Sequence, residues 1–506
     1  MIGNPFRDFS PQEKRNIIIY IAGIMLYKFG LEAFTGSITL LAQEQFNILD
    51  KNSTATKLAI MQGLNQAFQC VGSIAIAPLI RRFPTKSVLA SSIFFFGLLS
   101  AIIIIVDVAT GGQLPVGKTQ RIGSWNPIIL FPIYSVIGIC HGMVELIRRV
   151  IPRDIVGGDV IKLKRMDGTV HVFYEIAGTS GAFFSAFLVL KLGNAIAPAM
   201  TPFLFILACI AWSFIGLLDA DLENRKALAA LNDTPVLTQI GHGFAHFGTS
   251  MYRGAQIVFS SRKFIWLIPG YSIPLFTHRY LESQLTPTFA KRVLNEGAYA
   301  QIMVGGSNFG ELLGALFVLF FANKVKTPLP WLRLDALGLL IIWILPFSYP
   351  ENALSYAWTL AAIWIPVSFG WAAGDVSLAA YIQAALAKVE RPDDKVSPLG
   401  AVMAFLYTFY IVLYAVLGVV LGRVIDAEVK KGDVRPALTY VGGIMYSVVC
   451  VVLLAATFIP KGSFALNPDI IDGVEGHDDD DDVDADLAIY GGDVKEVKTH
   501  TTEVKA

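Results

Sequence analysis

Twelve stretches of the chain are apolar over about the 20 residues that a helix needs to cross a bilayer. They lie near 16–41, 56–80, 86–107, 126–149, 171–192 and 197–218 in the first half, and near 264–289, 298–322, 331–349, 353–387, 397–424 and 437–459 in the second. This pattern constrains the fold more than any motif. Soluble domains carry about 25% charged residues, whereas only 16% of these 506 residues are charged and 54% are hydrophobic. Lipid is therefore the solvent for most of the chain, and the predicted fold is an all-α membrane protein. Its organisation reads as a short N-terminal segment (1–15), six helices (16–218), a polar linker (219–263), six helices (264–460) and an acidic tail (461–506).

Forty Lys and Arg balance forty Asp and Glu, so no excess positive charge exists to hold nucleic-acid phosphates. Cys70, Cys140, Cys209 and Cys450 sit singly inside apolar runs, which reads as buried thiols and not as a disulfide frame or metal site. No cofactor or metal is expected. Gly112-Gln-Leu-Pro-Val-Gly117-Lys118-Thr119 spells G-x-x-x-x-G-K-[ST], but it falls in the short connection between the third and fourth apolar runs with no soluble nucleotide domain around it, and no H-E-x-x-H, CxxC or G-x-S-x-G elbow occurs. The context that would make the string a phosphate cradle is missing, so ATP-driven work is unsupported, and a membrane-embedded enzyme has no supporting signature.

Positive residues stay preferentially on the cytoplasmic side. With the N-terminus inside, the inner connections hold 24 Lys and Arg against 11 in the outer ones. Both termini are predicted to be cytoplasmic, most simply at the plasma membrane, with an internal membrane as the alternative. The first apolar run is too long for a cleavable signal, so it is expected to stay. Asn52-Ser-Thr then falls in a short outer loop as a glycosylation candidate. The tail, with HDDDDDVDAD and little apolar content, is predicted to be disordered.

The halves echo one another. Ile60-Met61-x-Gly63 and Gln69-Cys70-Val71-Gly72 recur 242 positions later as Ile302-Met303-x-Gly305 and Glu311-Leu312-Leu313-Gly314. Lys28 and Glu32 recur 250 positions on as His278 and Glu282. Parallel repeats are one signature of transporter architecture. The expectation is two pseudo-symmetric six-helix bundles.

Charges within a span are costly and face a wet cavity or a partner. The candidates here are Lys28 and Glu32, His141 and Glu145, His278, Arg279 and Glu282, Glu311, and Asp375. Burial disfavours a charged carboxylate and a nearby cation favours it, so small rearrangements can switch its protonation. Glu32, Glu145, Glu282 and Glu311 could thus carry protons, with His141 and His278 titrating near neutrality. Static ion pairs that lock the bundles are the alternative. Lys28 or Arg279 could hold an anionic group, while the excess of acids leaves a cationic amine open. Arg148 and Arg149 read as inner-face anchors, and Glu175 as an interfacial or gate contact.

Gly306, Gly310 and Gly314 are spaced to share one face, where small residues admit a close helix. Pro269, Gly270 and Pro274 should break the seventh run, and Pro366, Gly370 and Gly374 should bend the tenth.

The connection after the second run, Ala77-Pro-Leu-Ile-Arg81-Arg82-Phe83-Pro84-Thr85-Lys86-Ser-Val-Leu89, resembles the G-x-L-a-D-R-x-G-R-R-x-x-L loop of the major facilitator superfamily, with Arg81 where the family has Asp. Tyr174-Glu175-Ile-Ala-Gly178-Thr-Ser-Gly181 is similar to that family's glycine-rich fifth helix. Gly374-Asp375 through Gln383 is similar to a run in little-characterised fungal members. The resemblance implies twelve helices around a central path lined by the first, fourth, seventh and tenth. It further implies a monomeric secondary-active transporter whose partners are the bilayer, a small polar or charged organic solute and, as coupling ion, the proton. A transporter-like receptor, with the acidic tail signalling, is the alternative.

Overall fold

The computed structural model describes residues 9–116, 119–156, 160–216, 236–321, 324–387 and 397–472. The first bundle comprises α1 (Pro11–Leu49), α2 (Thr54–Arg82), α3 (Thr85–Ala109), α4 (Leu130–Val156), α5 (Val160–Ile196) and α6 (Met200–Ser213). A further helix, α7 (Val236–Ser260), follows in the segment expected as a linker. The second bundle holds α8 (Ile273–Tyr280), α9 (Thr286–Arg292), α10 (Tyr299–Phe321), α11 (Leu329–Gly338), α12 (Ala353–Ala387), α13 (Pro398–Lys431) and α14 (Met445–Ala456).

Among the described residues nine helical stretches are long and apolar enough to cross a membrane. The difference from twelve runs has local causes. The fifth and sixth runs join in one stretch, Gly168–Ser213. The seventh is divided by π turns at Ile268–Ser272 and Leu281–Leu285, and the ninth continues α11 as a 3₁₀ turn over Leu339–Ile344. Pro269, Gly270 and Pro274, expected to break this run, do not interrupt it: the chain stays helical through them, with Pro269 and Gly270 in the first π turn and Pro274 at the start of α8. Pro366 likewise lies inside α12, which runs on as a single helix.

Sequence signals set the helix ends. Ser10 caps α1 by accepting from the Glu13 N–H at 3.1 Å while Glu13 Oε2 accepts from the Ser10 N–H at 2.6 Å, with Pro11 in the first turn. Phe83-Pro84 ends α2, as expected where the residue before proline is driven out of the helical region. Each bundle has its own apolar core, one drawn from Phe9 to Ile215 and the other chiefly from Ile257 to Ile471. Large apolar side chains such as Phe95, Ile105, Phe187 and Val451 face outward, as lipid requires.

A hairpin, β1 (Gln113–Val116) with β2 (Thr119–Arg121), joins α3 to α4. Its base is tied by Asp107, fully buried at the end of α3, whose Oδ1 accepts from Gln45 Nε2 at 3.2 Å, the Gly123 N–H at 2.9 Å and Trp125 Nε1 at 2.7 Å. Hydrogen bonds to a buried charge contribute about 1.5–3 kcal/mol each, and stranded donors add to the loss. Asp107→Ala is expected to destabilise the first bundle by about 3 kcal/mol or more, read as a lower melting temperature by intrinsic fluorescence, with Asp107→Asn milder because an acceptor remains.

The tail expected to be disordered from Lys461 is packed as far as Asp472. Arg333 donates to the Ala465 carbonyl at 2.6 Å, to that of Leu466 at 3.1 Å and to that of Ser463, and it lies over the Phe458 ring. A guanidinium with five donors can hold a turn of backbone, and Ile471, 1% exposed, anchors the end of the segment in the second core. The HDDDDDVDAD run lies outside the described residues.

Candidate functional site

The two bundles meet along two seams, α2 against α13 and α5 against α10. At the end where α1 finishes and α2 begins, the seams are tied. Asp426 of α13 accepts from the Ala55 N–H at 2.9 Å, the Thr56 N–H at 2.8 Å and the Thr56 hydroxyl at 2.6 Å, capping a helix of the opposite bundle. Lys291 pairs with Glu44, and Arg292 donates to Asn47 at 2.9 Å. At the other end a cavity of about 1980 Å³ opens, its rim including Arg82, Phe83 and Gln383. The molecule is thus closed at one face and open at the other.

Helix α7 packs on both α13 and α2 at this open end. Gly243 faces Ile74 of α2, and Gly254 sits so close to Ala401 of α13 that a methyl group there would overlap its carbonyl. Phe244, Tyr252 and Phe259 are exposed, while Gln239, His242, His246 and Ser250, three or four residues apart, line the cavity. The linker thus supplies a wall of the cavity, with 217–235 outside the described residues.

Most of the sequence-predicted charges converge on the cavity. Lys28, Glu32, His141, Glu145, Arg279, Glu282, Glu311 and Asp375 all line it. Lys28 Nζ is 2.6 Å from Glu32 Oε1, both being nearly buried. Glu145 Oε2 accepts from Arg148 at 2.6 and 3.2 Å, and its Oε1 accepts from the Tyr27 hydroxyl at 2.8 Å. Arg279 comes within 3.5 Å of Glu282, whose other oxygen accepts from Ser307 at 2.7 Å. Glu282 lies in the second π turn, a local form found often at functional sites.

His278 is the exception. Its Nε2 is 2.8 Å from Asp335 Oδ1 and its ring stacks on Trp371, so it faces the interior of the second bundle and not the cavity. The repeat explains why. Gln66 and Asn308, and Gln69 and Glu311, are equivalent at an offset of 242, and all four line the cavity. Arg279, the next residue, lines the cavity where His278 does not, and the π turns on either side of α8, with more residues per turn than an α-helix, alter the helical phase there.

The small residues serve packing within the bundles. Gly306, Gly310 and Gly314 admit the carbonyls of Ala361, Ile365 and Phe369 of α12. Gly370 and Gly374 seat α12 against Asp335 and Leu332 of α11, and Gly178 and Gly181 seat α5 against Lys28 and Phe29 of α1. Asn52 is exposed in a 3₁₀ turn at the closed face.

Sequence reasoning undervalued Arg148 and Glu175. Both line the cavity; Arg148 lies over the Tyr174 ring, and Glu175 is buried with Oε2 lacking a hydrogen-bond partner. Their positions near the ends of apolar runs suggested the interface. The available signal was spacing: His171, Tyr174, Glu175 and Gly178 form one helical face.

Solved structures share this architecture. A mutant of the nucleoside transporter NupG superposes with a TM-score of 0.58 at 13% identity, over 88% of this chain and 99% of its own. A D-xylose-proton symporter gives 0.59 at 12% identity, over 90% and 98%. The fold is like that of the major facilitator superfamily. A structure described for proton dependent oligopeptide transporters gives 0.56 at 14% identity, over 88% and 99%. No protein-family model and no curated protein sequence matches the chain. At these identities the likeness concerns the major-facilitator fold alone, a multi-pass membrane architecture.

Proposed function

We propose that the protein is a secondary-active carrier moving a small polar or charged organic solute by alternating access, coupled to protons. One observation carries this reading: ionisable side chains from both bundles converge on a single cavity, open at one face and latched at the other. A static structural role would not need a wet path reaching the seam. The architecture and the solutes named for the neighbouring structures support the class of activity. On the expected orientation the open face is cytoplasmic, the chain works as a monomer at the plasma membrane, and the bundles span 16–218 and 264–460.

Glu32 and Glu282 are repeat-related and come from opposite bundles, so they are the proton carriers of this reading. In proteoliposomes with an imposed pH gradient, Glu32→Gln and Glu282→Gln are each expected to lower gradient-driven accumulation at least tenfold while leaving exchange at equal pH largely intact. Full gradient-driven activity in both variants would remove the protons from the mechanism.

A further inference from the structure

The cations of the cavity are committed unequally. Lys28 is closed off by Glu32 at 2.6 Å, and Arg148 holds Glu145 with two nitrogens. Arg279 differs: its single contact with Glu282 is 3.5 Å long and its side chain is 55% exposed in the cavity wall. A planar fork with spare donors therefore projects from the second bundle.

The acids are unequal too. Glu175, on α5 of the first bundle, is 5% exposed, lines the cavity and leaves Oε2 without a hydrogen-bond partner. Glu311 of α10 also lines it and makes no ion pair among the described residues. Buried Asn308, beside Gly178 of α5, has an unpartnered Nδ2. Arg279 and Glu175 lie within Coulombic reach of one another yet form no ion pair. Both line the cavity, Glu175 from α5 of the first bundle and Arg279 from the seventh-run helix of the second, and Lys28 and Arg148 also lie within Coulombic reach of Glu175 without bonding to it.

From this arrangement, and resting on the carrier reading above, we infer that the cavity selects a zwitterionic, amino-acid-like solute, with its carboxylate on the Arg279 fork and its ammonium on Glu175. A plain anion leaves Glu175 unpaired and adds charge where acids already exceed bases. A plain cation leaves the Arg279 fork idle. A zwitterion satisfies both and links α5 of the first bundle to the seventh-run helix of the second, which gives the bound ligand a reason to draw the open face shut. Tyr271, Tyr410 and Trp371 line the same cavity, so an aromatic substituent finds rings to pack against.

Three probes that share one ring test this: phenylalanine, phenethylamine and 3-phenylpropionate, titrated against the purified full-length protein by thermal shift and by tracer binding. Phenylalanine is expected to bind at least tenfold more tightly than either single-charge probe. Glu175→Gln should remove its advantage over phenylpropionate, and Arg279→Gln its advantage over phenethylamine, while Arg279→Lys keeps part of the latter. Equal or tighter binding of a single-charge probe, or binding of none of the three, overturns the assignment. Flux in proteoliposomes separates the two readings. Binding and movement of phenylpropionate alone would sink the zwitterion and keep the carrier, whereas selective phenylalanine binding with no solute crossing would sink the carrier and keep the site.

Discussion

Asp426→Ala is expected to open the closed face. The carboxylate of Asp426 accepts three hydrogen bonds from the start of α2, two from backbone N–H groups and one from the Thr56 hydroxyl. A carboxylate at a helix N-terminus also meets the positive end of the helix dipole. Asp426 is buried at 6% exposure, so no water replaces those bonds while the face stays shut. Removing the acceptor costs the closed state about 3–5 kcal/mol, the scale for breaking a buried charged network. A shift of that size changes the ratio of closed to open conformers by more than a hundredfold. Thr39 lies in the cavity below this latch. With the four native cysteines replaced, Thr39→Cys should react with a membrane-impermeant thiol reagent at the Asp50 face at least tenfold faster once Asp426 is alanine. An unchanged labelling rate would show that Glu44 with Lys291 and Asn47 with Arg292 hold the face without it. Asp426→Asn, which keeps one acceptor oxygen, should fall between the two.

The second large effect concerns folding. Helices α2 and α4 cross in backbone contact: a methyl group on Gly72 would overlap the Ile139 carbonyl, and one on Gly142 would overlap the Gln69 carbonyl. The two glycines are reciprocal, each admitting the main chain beside the other's partner. Backbone cannot step aside as a flexible side chain can, so Gly72→Val must part the helices and strip their packing, at a cost of about 4 kcal/mol or more. In membranes, where helices associate largely through such packing, little else compensates. The expected result is loss of monodisperse protein on size exclusion after detergent extraction. Gly241→Ala on α7, where nothing lies within 4 Å of the added carbon, is the control and should leave the yield unchanged. Equal yields from both variants would mean that the crossing tolerates separation.

The charge positions were legible because hydrocarbon makes an ionised group in a span conspicuous. Eight of the nine charged candidates were brought to one cavity for that reason. His278 was misassigned because one-dimensional spacing assumes a constant helical phase, and two π turns alter it. Glu175 and Arg148 were undervalued because depth in a membrane cannot be measured from the end of an apolar run when the helix continues past it, as α4 and α5 do. The wall formed by α7 was hidden for a related reason. Its stripe of Gln239, His242, His246 and Ser250 looks like an ordinary solvated face until α2 and α13 are seen on either side.

Hydropathy and charge along the chain determined the number of spans, the division into halves and the need for a polar interior, since these follow from how each short segment partitions between lipid and water. Tertiary structure alone decided which acids are paired and which are left open, which face is latched, and that a side chain from residue 426 caps a helix beginning at residue 54. Such facts depend on distances between elements hundreds of residues apart. No local partitioning energy encodes them.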